Sequence, residues 1–343
     1  FKNEAVQGII DGNGYTVYGL YYNDNSTRDE MAGATTGVGL IPRVANNTNL
    51  TLTRIGVDYM FIHFINGASP FIGYLGGNTT STNYPTLTID QCYSGENAYV
   101  TGYAGVYVGY VKGANTYFTN SYSLAKIYSK PVSFNPENTR YTGNSWSLSA
   151  TNSGYYNTYN AVGCIQQVNW SNYEKISARN YAVGWNEDKT ASGQGYSAWH
   201  ATRRTVENMK GLDALTASTK MPNLNKDADG NDTGLFTATE SFPVLTAFVG
   251  KFYVKPVVEE ETPEEDVEDD VEDDVITPEA PETYEIWDGT SVAPTEGDGT
   301  EESPWKIYTG AELYNVIKTQ GGSGVYYQLQ NDIYLNDVSK VNW

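Results

Sequence analysis

Cysteine is scarce in this sequence, and its scarcity excludes a disulfide framework. The 343 residues contain only Cys92 and Cys164, which are too few to staple a chain of this length. Each cysteine lies in an apolar, strand-like run, TIDQCYS and AVGCIQ. Because cysteine often serves as a small buried hydrophobe, the sequence favours two buried free thiols, with a disulfide between them as the alternative.

Long hydrophobic runs are also missing. No stretch approaches the roughly 18 apolar residues that span a bilayer, so we expect no membrane span in this segment. The sequence shows no signal-peptide pattern, and it starts at Phe1, inside what looks like a folded repeat. We therefore expect the chain to be a segment of a longer protein.

Histidine is almost absent, which argues against an enzyme. His63 lies in an apolar strand-like run and His200 in a loop rich in Ser and Gly, and two isolated histidines do not predict a catalytic triad. Asp58, Asp90 and Glu207 each stand alone on strand-like segments, whereas glycoside hydrolysis needs two carboxylates. We expect no catalysis and no cofactor, and we keep a polysaccharide lyase or hydrolase as the less favoured alternative.

Positive charge is missing from one stretch of the chain. Between Pro256 and Trp305 there are 20 acidic residues and no Lys or Arg, and the other 21 acids balance the 21 bases. The net charge of −20 therefore belongs to this stretch, and residues 255–284 are predicted to form an acidic, proline-containing linker. A neutral body beside an acidic linker argues against nucleic acid as a partner, since nucleic-acid binding requires a basic surface.

Tyrosine and glycine are abundant instead. The chain has 29 Tyr and 34 Gly against 4 Met, a composition typical of strands and tight turns. An alternation of apolar and polar residues recurs, and its last members are Tyr93, Tyr122, Tyr181 and Met209, at intervals of 29, 59 and 28 residues. A period near 30 that consists of short strands is typical of a solenoid.

The repeat predicts an all-β fold for residues 1–254, namely a right-handed parallel β-helix. A second recurring element is a Gly-apolar turn whose final glycines are Gly39, Gly73, Gly109 and Gly163, and glycine suits corners where a Cβ would clash. A period near 30 gives roughly eight turns and a rod about 40 Å long. An antiparallel sandwich is the alternative, since it also joins short strands by turns.

Residues 285–343 have the pattern of a small α/β end cap. Thr309 and Glu312 have the spacing of a capping box at the start of a helix. Two strand-like segments follow the helix, at 325–329 and 332–335. Such a segment suits the end of a solenoid, where a cap covers the edge strand that would otherwise recruit other chains.

Three segments resemble bacterial cell-surface proteins with GLUG-type repeats. GIIDGNGYTVYGLYY at 8–22 resembles the first full turn of those proteins. IWDGTSVAPTEGDGTEESPWKIYTGAELYNVI at 286–317 resembles the segment that precedes that turn in the family, and YYQLQNDIYLND at 326–337 resembles the strands between them. The resemblance implies a right-handed parallel β-helix and an adhesin-like, fibre-forming role.

The order of these segments suggests how copies would assemble. In the family the helix and its strands precede the Asp-Gly-Asn-Gly turn, whereas here they follow it. We therefore expect a head-to-tail contact, either between tandem repeats or between subunits, in which the cap of one unit starts the next, and such contacts build fibres. The expected inter-unit contact residues are Phe1, Trp343, Leu313, Val316 and Ile317.

One loop resembles the first half of a calcium-binding loop. Residues 225–232, NKDADGND, place oxygen-bearing side chains and a glycine at the expected positions, and Asp227, Asp229 and Asp232 are the candidate Ca²⁺ ligands. Phe236 stands where a bidentate Glu would be required. A plain turn rich in Asp, Asn and Gly is therefore the alternative.

Together these patterns predict a structural or adhesive segment of an extracellular fibre, secreted or anchored to the cell wall. The expected partners are further copies of the chain and, on exposed Tyr rows, glycans or proteins of a host or microbe. A glycan-binding surface module is the alternative function, because tyrosine combines contact area with a hydrogen bond.

Overall fold

The computed structural model contains mainly β-strands. One α-helix, α1 (Gly310–Lys318), occurs in the described part of the chain, with short 3-10 turns at Glu207–Met209 and Thr246–Phe248. The structure describes residues 5–24, 36–76, 83–112, 114–129, 140–141, 145–147, 152–156, 159–160, 181–182, 202–251 and 284–338.

The strands are short, apart from β1, β4, β5, β9 and β23. In chain order they are β1 Gln7–Tyr18, β2 Tyr21–Asn23, β3 Ile41–Val44, β4 Asn49–Asp58, β5 Met60–Ala68, β6 Ile72–Gly76, β7 Thr86–Asp90, β8 Tyr93–Ser94, β9 Ala98–Ala104, β10 Val108–Lys112, β11 Asn115–Thr119, β12 Tyr122–Ser123, β13 Lys126–Ser129, β14 Arg140–Tyr141, β15 Ser145–Ser147, β16 Asn152–Tyr156, β17 Tyr159–Asn160, β18 Tyr181–Ala182, β19 Thr202–Arg203, β20 Phe236–Thr237, β21 Val244–Leu245, β22 Trp305–Ile307, β23 Gly321–Leu329 and β24 Ile333–Tyr334.

Three sheets carry most of these strands. The long sheet has 13 strands, including β1, β4, β7, β11 and β22–β24; the second sheet is β3-β6-β10-β15, and the third is β2-β5-β9-β13-β14. Strand pairs are parallel except β13 with β14 and β20 with β21. The prediction of parallel sheets is confirmed, and the antiparallel sandwich alternative is wrong for the described residues.

The chain visits the three sheets in a fixed order. It runs from the long sheet (β1) to the third (β2) and the second (β3), and then repeats the cycle through β4, β5 and β6 and through the strands that follow. Each visit pairs with the previous one in register, so Ile10, Leu52, Ile89 and Phe118 form one column. All four side chains are buried, because alternate residues of a strand point to the same face.

Two of the predicted turn glycines occupy equivalent positions in the second sheet. Tyr74 pairs with Tyr110, which confirms that Gly73 and Gly109 are equivalent. In β3, Arg43 pairs with Tyr74. The residue before it, Pro42, therefore occupies the position equivalent to Gly73. The predicted equivalence of Gly39 is therefore wrong, and Gly163 lies outside the described residues.

A column of tyrosines crosses the long sheet. Tyr93 pairs with Tyr122, as predicted, and the ladder continues through Tyr159 to Tyr181 and then Thr202. The predicted equivalence of Met209 is wrong, because this residue lies in a 3-10 turn and packs against the column from outside. The two steps between Tyr122 and Tyr181 are 37 and 22 residues long, not two of 29.

Residues 204–251, here called the return segment, cover the tyrosine column. The ring of Phe248 lies edge-on to Tyr93, with centroids 4.8 Å apart, and Phe236 packs near Tyr122. The segment starts after β19 and ends beside β1, where Lys251 Nζ is 5.1 Å from the centroid of the Tyr15 ring. It therefore carries the chain back along the long sheet to the first strand.

The cap, residues 284–338, packs on the first strand of its own chain. Thr309 and Glu312 form the predicted capping box, and β23 and β24 pair in parallel with β1. The apolar face of α1, formed by Leu313, Val316 and Ile317, belongs to the same buried cluster as the body strands.

The expected head-to-tail contact is corrected by this arrangement. The three cap side chains named for it are buried within one chain, because the return segment brings the C-terminal part of the chain to β1. Phe1 and Trp343, the other two expected contact residues, lie outside the described residues, as do most of the predicted linker residues. No helix in the described part of the chain is long and apolar enough to cross a membrane.

Candidate functional site

The junction between the cap and β1 is built by parallel strand pairing. Strand β23 is paired with β1 from Ile9–Tyr326 to Asp11–Gln328, and β24 continues the pairing at Val17. On its other side β1 pairs with β4. The cap thus converts the first strand from an edge strand into an interior strand, which removes an edge that could recruit other chains.

A row of polar side chains crosses the junction on the outside. Arg54 donates to both carboxylate oxygens of Asp11, with 3.0 Å from Nε to Oδ1. Gln328 Nε2 lies 3.2 Å from Asp11 Oδ2, and Lys306 Nζ lies 2.7 Å from Gln328 Oε1. A partly exposed ion pair contributes little free energy, but this row spans β22, β23, β1 and β4 and so fixes their register.

An aromatic column also links the cap to the body. The rings of Tyr284 and Tyr334 stack with centroids 4.0 Å apart, and Tyr334 stacks on Tyr18 at 5.0 Å. Tyr59, between β4 and β5, meets the Tyr18 ring edge-on at 6.3 Å. Aromatic pairs in these arrangements stabilise beyond their buried area, and sequence analysis missed this column because its members are distant in the chain.

Polar contacts on either side of β24 also join the cap to β1. The Asp332 carboxylate accepts the backbone N–H of Thr16 at 2.7 Å, and the amide of Asn336 donates to the carbonyl of Gly19 at 2.6 Å. Burial raises the pKa of Asp332, while the hydrogen bond from Thr16 and the positive charge of Lys251 act to lower it. Gly19 has φ +79°, and a Cβ there would lie 2.7 Å from the backbone nitrogen of Asn336. The close approach of these two backbone segments therefore requires glycine.

An outward aromatic row lies on the third sheet. Tyr21, Phe61 and Tyr99 stack with centroids 5.5 and 5.4 Å apart and interplanar angles of 22° and 3°. Tyr21 is half exposed, at 50%. Tyr21 lies on the end strand of this sheet, so Phe61 covers one face of its ring. Glycan binding at this row stays a prediction.

Two of the predicted calcium ligands, Asp227 and Asp232, have partners within their own loop. The Asn231 side-chain amide donates to Asp227 Oδ2 (3.0 Å), and the N–H groups of Asn231 (2.8 Å) and Asp229 (2.9 Å) donate to Oδ1; these bonds lower the pKa of Asp227. Asp232 lies 3.5 Å from Lys226 Nζ. Among the described residues no three His, Cys, Asp or Glu side chains are grouped to hold a metal ion, and calcium binding stays a prediction.

The residues considered for catalysis have separate local partners. His63 lies on β5, and His200 is outside the described residues. Asp90 accepts hydrogen bonds from Thr119 (2.6 Å) and Asn120 (2.7 Å), whereas Glu207 is paired with Lys210 on the surface. The Asp90 bonds join β7 to the end of β11, whereas the Glu207–Lys210 pair is local to one turn.

Cys92 has a free, buried thiol, as the sequence favoured. Its N–H donates to the hydroxyl of Ser121 at 3.0 Å, and burial raises the pKa of the thiol far above its usual range. Such a thiol is inert, since the thiolate is the reactive form. Cys164 lies outside the described residues.

Asp58 was considered only as an isolated carboxylate, but the structure gives it a defined role. Its Oδ1 accepts the N–H groups of Tyr59 (2.8 Å) and Asn97 (3.0 Å), and Oδ2 accepts the Asn97 side-chain amide (3.2 Å). A Cβ at Gly95 would overlap the carboxylate. Burial raises the pKa of Asp58 to about 6, with Glu96 adding to the rise and the hydrogen bonds opposing it.

Asp58→Asn is expected to change how stability depends on pH. Because the folded-state pKa of Asp58 is about 6 and the ordinary pKa of an aspartate is 3.8, the folded chain binds this proton more tightly than the unfolded chain. The resulting stabilisation is complete below pH 3.8 and is lost as the pH rises through 6. We expect the difference in unfolding free energy between the two proteins to change by about 3 kcal/mol across this range.

Urea unfolding of both proteins at several pH values measures this difference. In Asp58→Asn the side-chain carbonyl oxygen can still accept from the N–H groups of Tyr59 and Asn97. The Asn97 side chain can rotate so that its own carbonyl oxygen accepts from the new amide group. Asp58→Asn is therefore expected to fold. Asp58→Ala is the comparison, because it leaves the N–H groups of Tyr59 and Asn97 without their acceptor and should destabilise at every pH. A pH-independent difference between wild type and Asp58→Asn would contradict the assignment.

Comparison with known proteins yields no match: no family model, no curated protein and no solved structure is similar to this chain. The resemblance to GLUG-type surface proteins therefore stays a prediction, and the function is argued from the geometry described above.

Proposed function

We propose that the chain is a structural or adhesive segment of an extracellular fibre, built on a right-handed parallel β-helix, and that it has no catalytic activity. The single observation that carries this proposal is the cyclic path of the chain through three parallel sheets. In a β-helix each cycle is one turn, and each backbone is hydrogen-bonded to the turns on either side.

The strands of the long sheet stack along one axis. One path through the long sheet is β22-β23-β1-β4-β8-β12-β17-β18-β19, which is nine strands. At about 4.8 Å per strand, this path is about 40 Å long. Continuous hydrogen bonding along one axis makes such a body stiff, which suits a spacer better than an enzyme that must open and close.

The distribution of polar groups supports the absence of catalysis. The Asp11, Asp58 and Asp90 carboxylates each bind neighbouring strands through two or more hydrogen bonds. A general acid and base must instead face a substrate together. The resemblance to surface proteins supports the extracellular location, secreted or attached to the cell wall.

Two measurements test the proposal. Small-angle scattering of the purified chain should give an elongated particle with a well-defined cross-section, and antibodies against residues 202–251 should label intact source cells. A compact spherical particle would contradict the rod. Labelling only after the cells are permeabilised would contradict the extracellular role.

A further inference from the structure

The two described segments that flank residues 252–283 both lie against the same strand. Lys251 lies against Tyr15 of β1. Tyr284 stacks on Tyr334, which in turn stacks on Tyr18 of β1. Tyr15 and Tyr18 are three residues apart, so the two anchor points differ by about 10 Å along the strand.

The connecting stretch is much longer than this gap. It contains 32 residues, 252–283, and a chain of that length can reach about 100 Å when extended. Closing the cap on its own body requires only a small part of that reach. The same length allows the cap to reach β1 of a second copy.

We propose that two copies of this chain can exchange caps, so that each cap packs on the β1 strand of the other copy. This inference rests on the β-helix rod of the proposed function, since it concerns how two such rods associate. Every contact of the junction is kept, including the pairing of β23 with β1 and the Asp11–Gln328 bond. The exchanged and unexchanged forms therefore differ mainly in the path of the connecting stretch.

The geometry sets the kind of assembly. The connecting stretch leaves the body beside β1, at the end of the rod that also accepts the cap. Exchange therefore joins two rods at their capped ends, head to head. Reciprocal exchange is two-fold symmetric and closes as a dimer, in contrast to the head-to-tail fibre expected from the sequence.

Concentration decides which form dominates. A cap tethered to its own body has an effective concentration on the order of mM. At μM protein the cap therefore stays on its own body, and exchange becomes competitive only when chains are crowded to a similar concentration. The acidic charge of the connecting stretch, with 14 Asp or Glu between residues 252 and 283, opposes bringing two copies together, so added salt should favour exchange.

Two single-cysteine variants of the full chain test the exchange. Both carry Cys92→Ala and Cys164→Ala; one adds Ile9→Cys and the other adds Tyr326→Cys. Ile9 and Tyr326 are register partners on β1 and β23, and adjacent strands hold Cα atoms close enough for a disulfide. A disulfide between the two chains therefore forms only where the cap of one lies on the body of the other.

The variants are mixed, unfolded, refolded together and oxidised, and the products are separated on a non-reducing gel. We expect the linked heterodimer to increase at least about tenfold when refolding is done near 1 mM instead of near 1 μM. The matched control replaces Ile9→Cys by Thr88→Cys. Thr88 lies in the same row of the long sheet, two strands further from the cap, and should give no concentration-dependent heterodimer.

The outcomes are decisive in either direction. Equal yields from the Ile9 and Thr88 variants, or no heterodimer at either concentration, would overturn the exchange. A chain carrying both Ile9→Cys and Tyr326→Cys should form the disulfide internally at μM protein, and its failure to do so would overturn the junction itself. Scattering from the same samples reports the rod shape separately, so failure of exchange is distinguishable from failure of the proposed function.

Discussion

Val316→Asp is expected to undock the cap and to lower the free energy of unfolding by about 3 to 5 kcal/mol, the usual cost of an unpaired buried charge. Val316 is 2% exposed and lies on the buried face of α1, in one cluster with Ile10 and Leu329. A carboxylate there would lie within an apolar cluster. Undocking also leaves one side of β1 without its hydrogen-bonded neighbour, so the loss is not confined to the helix.

Lys318→Asp is the matched control for this substitution. It places the same residue on the same helix, two positions later, where the side chain is exposed. Reversing a charge in the last turn should cost less than about 1 kcal/mol. Urea unfolding gives the free energies, and hydrogen exchange of the Ile10 and Val17 amides reports whether β1 has lost protection. Equal effects of the two substitutions would show that the cap helix is not packed as described.

The second large effect is expected at Gly73. A Cβ on this residue would lie 2.2 Å from the nitrogen of Val38 and 2.3 Å from the carbonyl carbon of Gly37. Both are backbone atoms, so no side chain can turn aside to make room. We expect Gly73→Ala to lower the free energy of unfolding by about 3 kcal/mol or to prevent folding, because the second sheet must move away from the preceding segment.

Gly230→Ala serves as the control for Gly73→Ala. Gly230 has φ +87° and no atom within 4 Å of an added Cβ, so alanine should cost about 1 to 2 kcal/mol through backbone strain alone. Thermal unfolding by circular dichroism compares the two variants. If Gly230→Ala proved the more damaging substitution, the close approach at Gly73 would be refuted.

Local features of the fold were predictable because neighbouring residues create them. The capping box of Thr309 and Glu312 depends on a hydrogen bond between residues three apart, so its spacing in the sequence is sufficient evidence. The burial of Cys92 followed from its apolar run. The equivalence of Tyr93 and Tyr122 followed from a repeat without an insertion between its two copies.

The prediction of equivalent positions in successive repeats was wrong where the repeats differ in length. The step from Tyr122 to Tyr181 contains an additional pairing at Tyr159, and the intervals of 37 and 22 residues conceal it. Met209 fits the sequence pattern, but it lies in the return segment and packs on the column from outside. An alternation of apolar and polar residues indicates that one face is buried, and it does not specify which segment covers that face.

The sequence also did not predict which strand the cap packs against. The order of the segments suggested a contact between units, and that inference assumed that the chain ends at the far end of the rod. The return segment reverses this direction, so that Lys251 reaches Tyr15 and the cap closes on its own β1. No local pattern in residues 204–251 specifies this path, because it depends on covering the tyrosine column.

By itself the sequence determined an all-β chain of parallel, repeating strands, a capped helix after the acidic stretch and a body without excess charge, since each depends on composition or on residues close together in the chain. Only the tertiary structure decided that the cap belongs to the first strand of the same chain, that Asp58 holds a neighbouring turn and that Gly73 must lack a side chain. These three depend on which distant segments approach each other, and packing around a common core sets that approach.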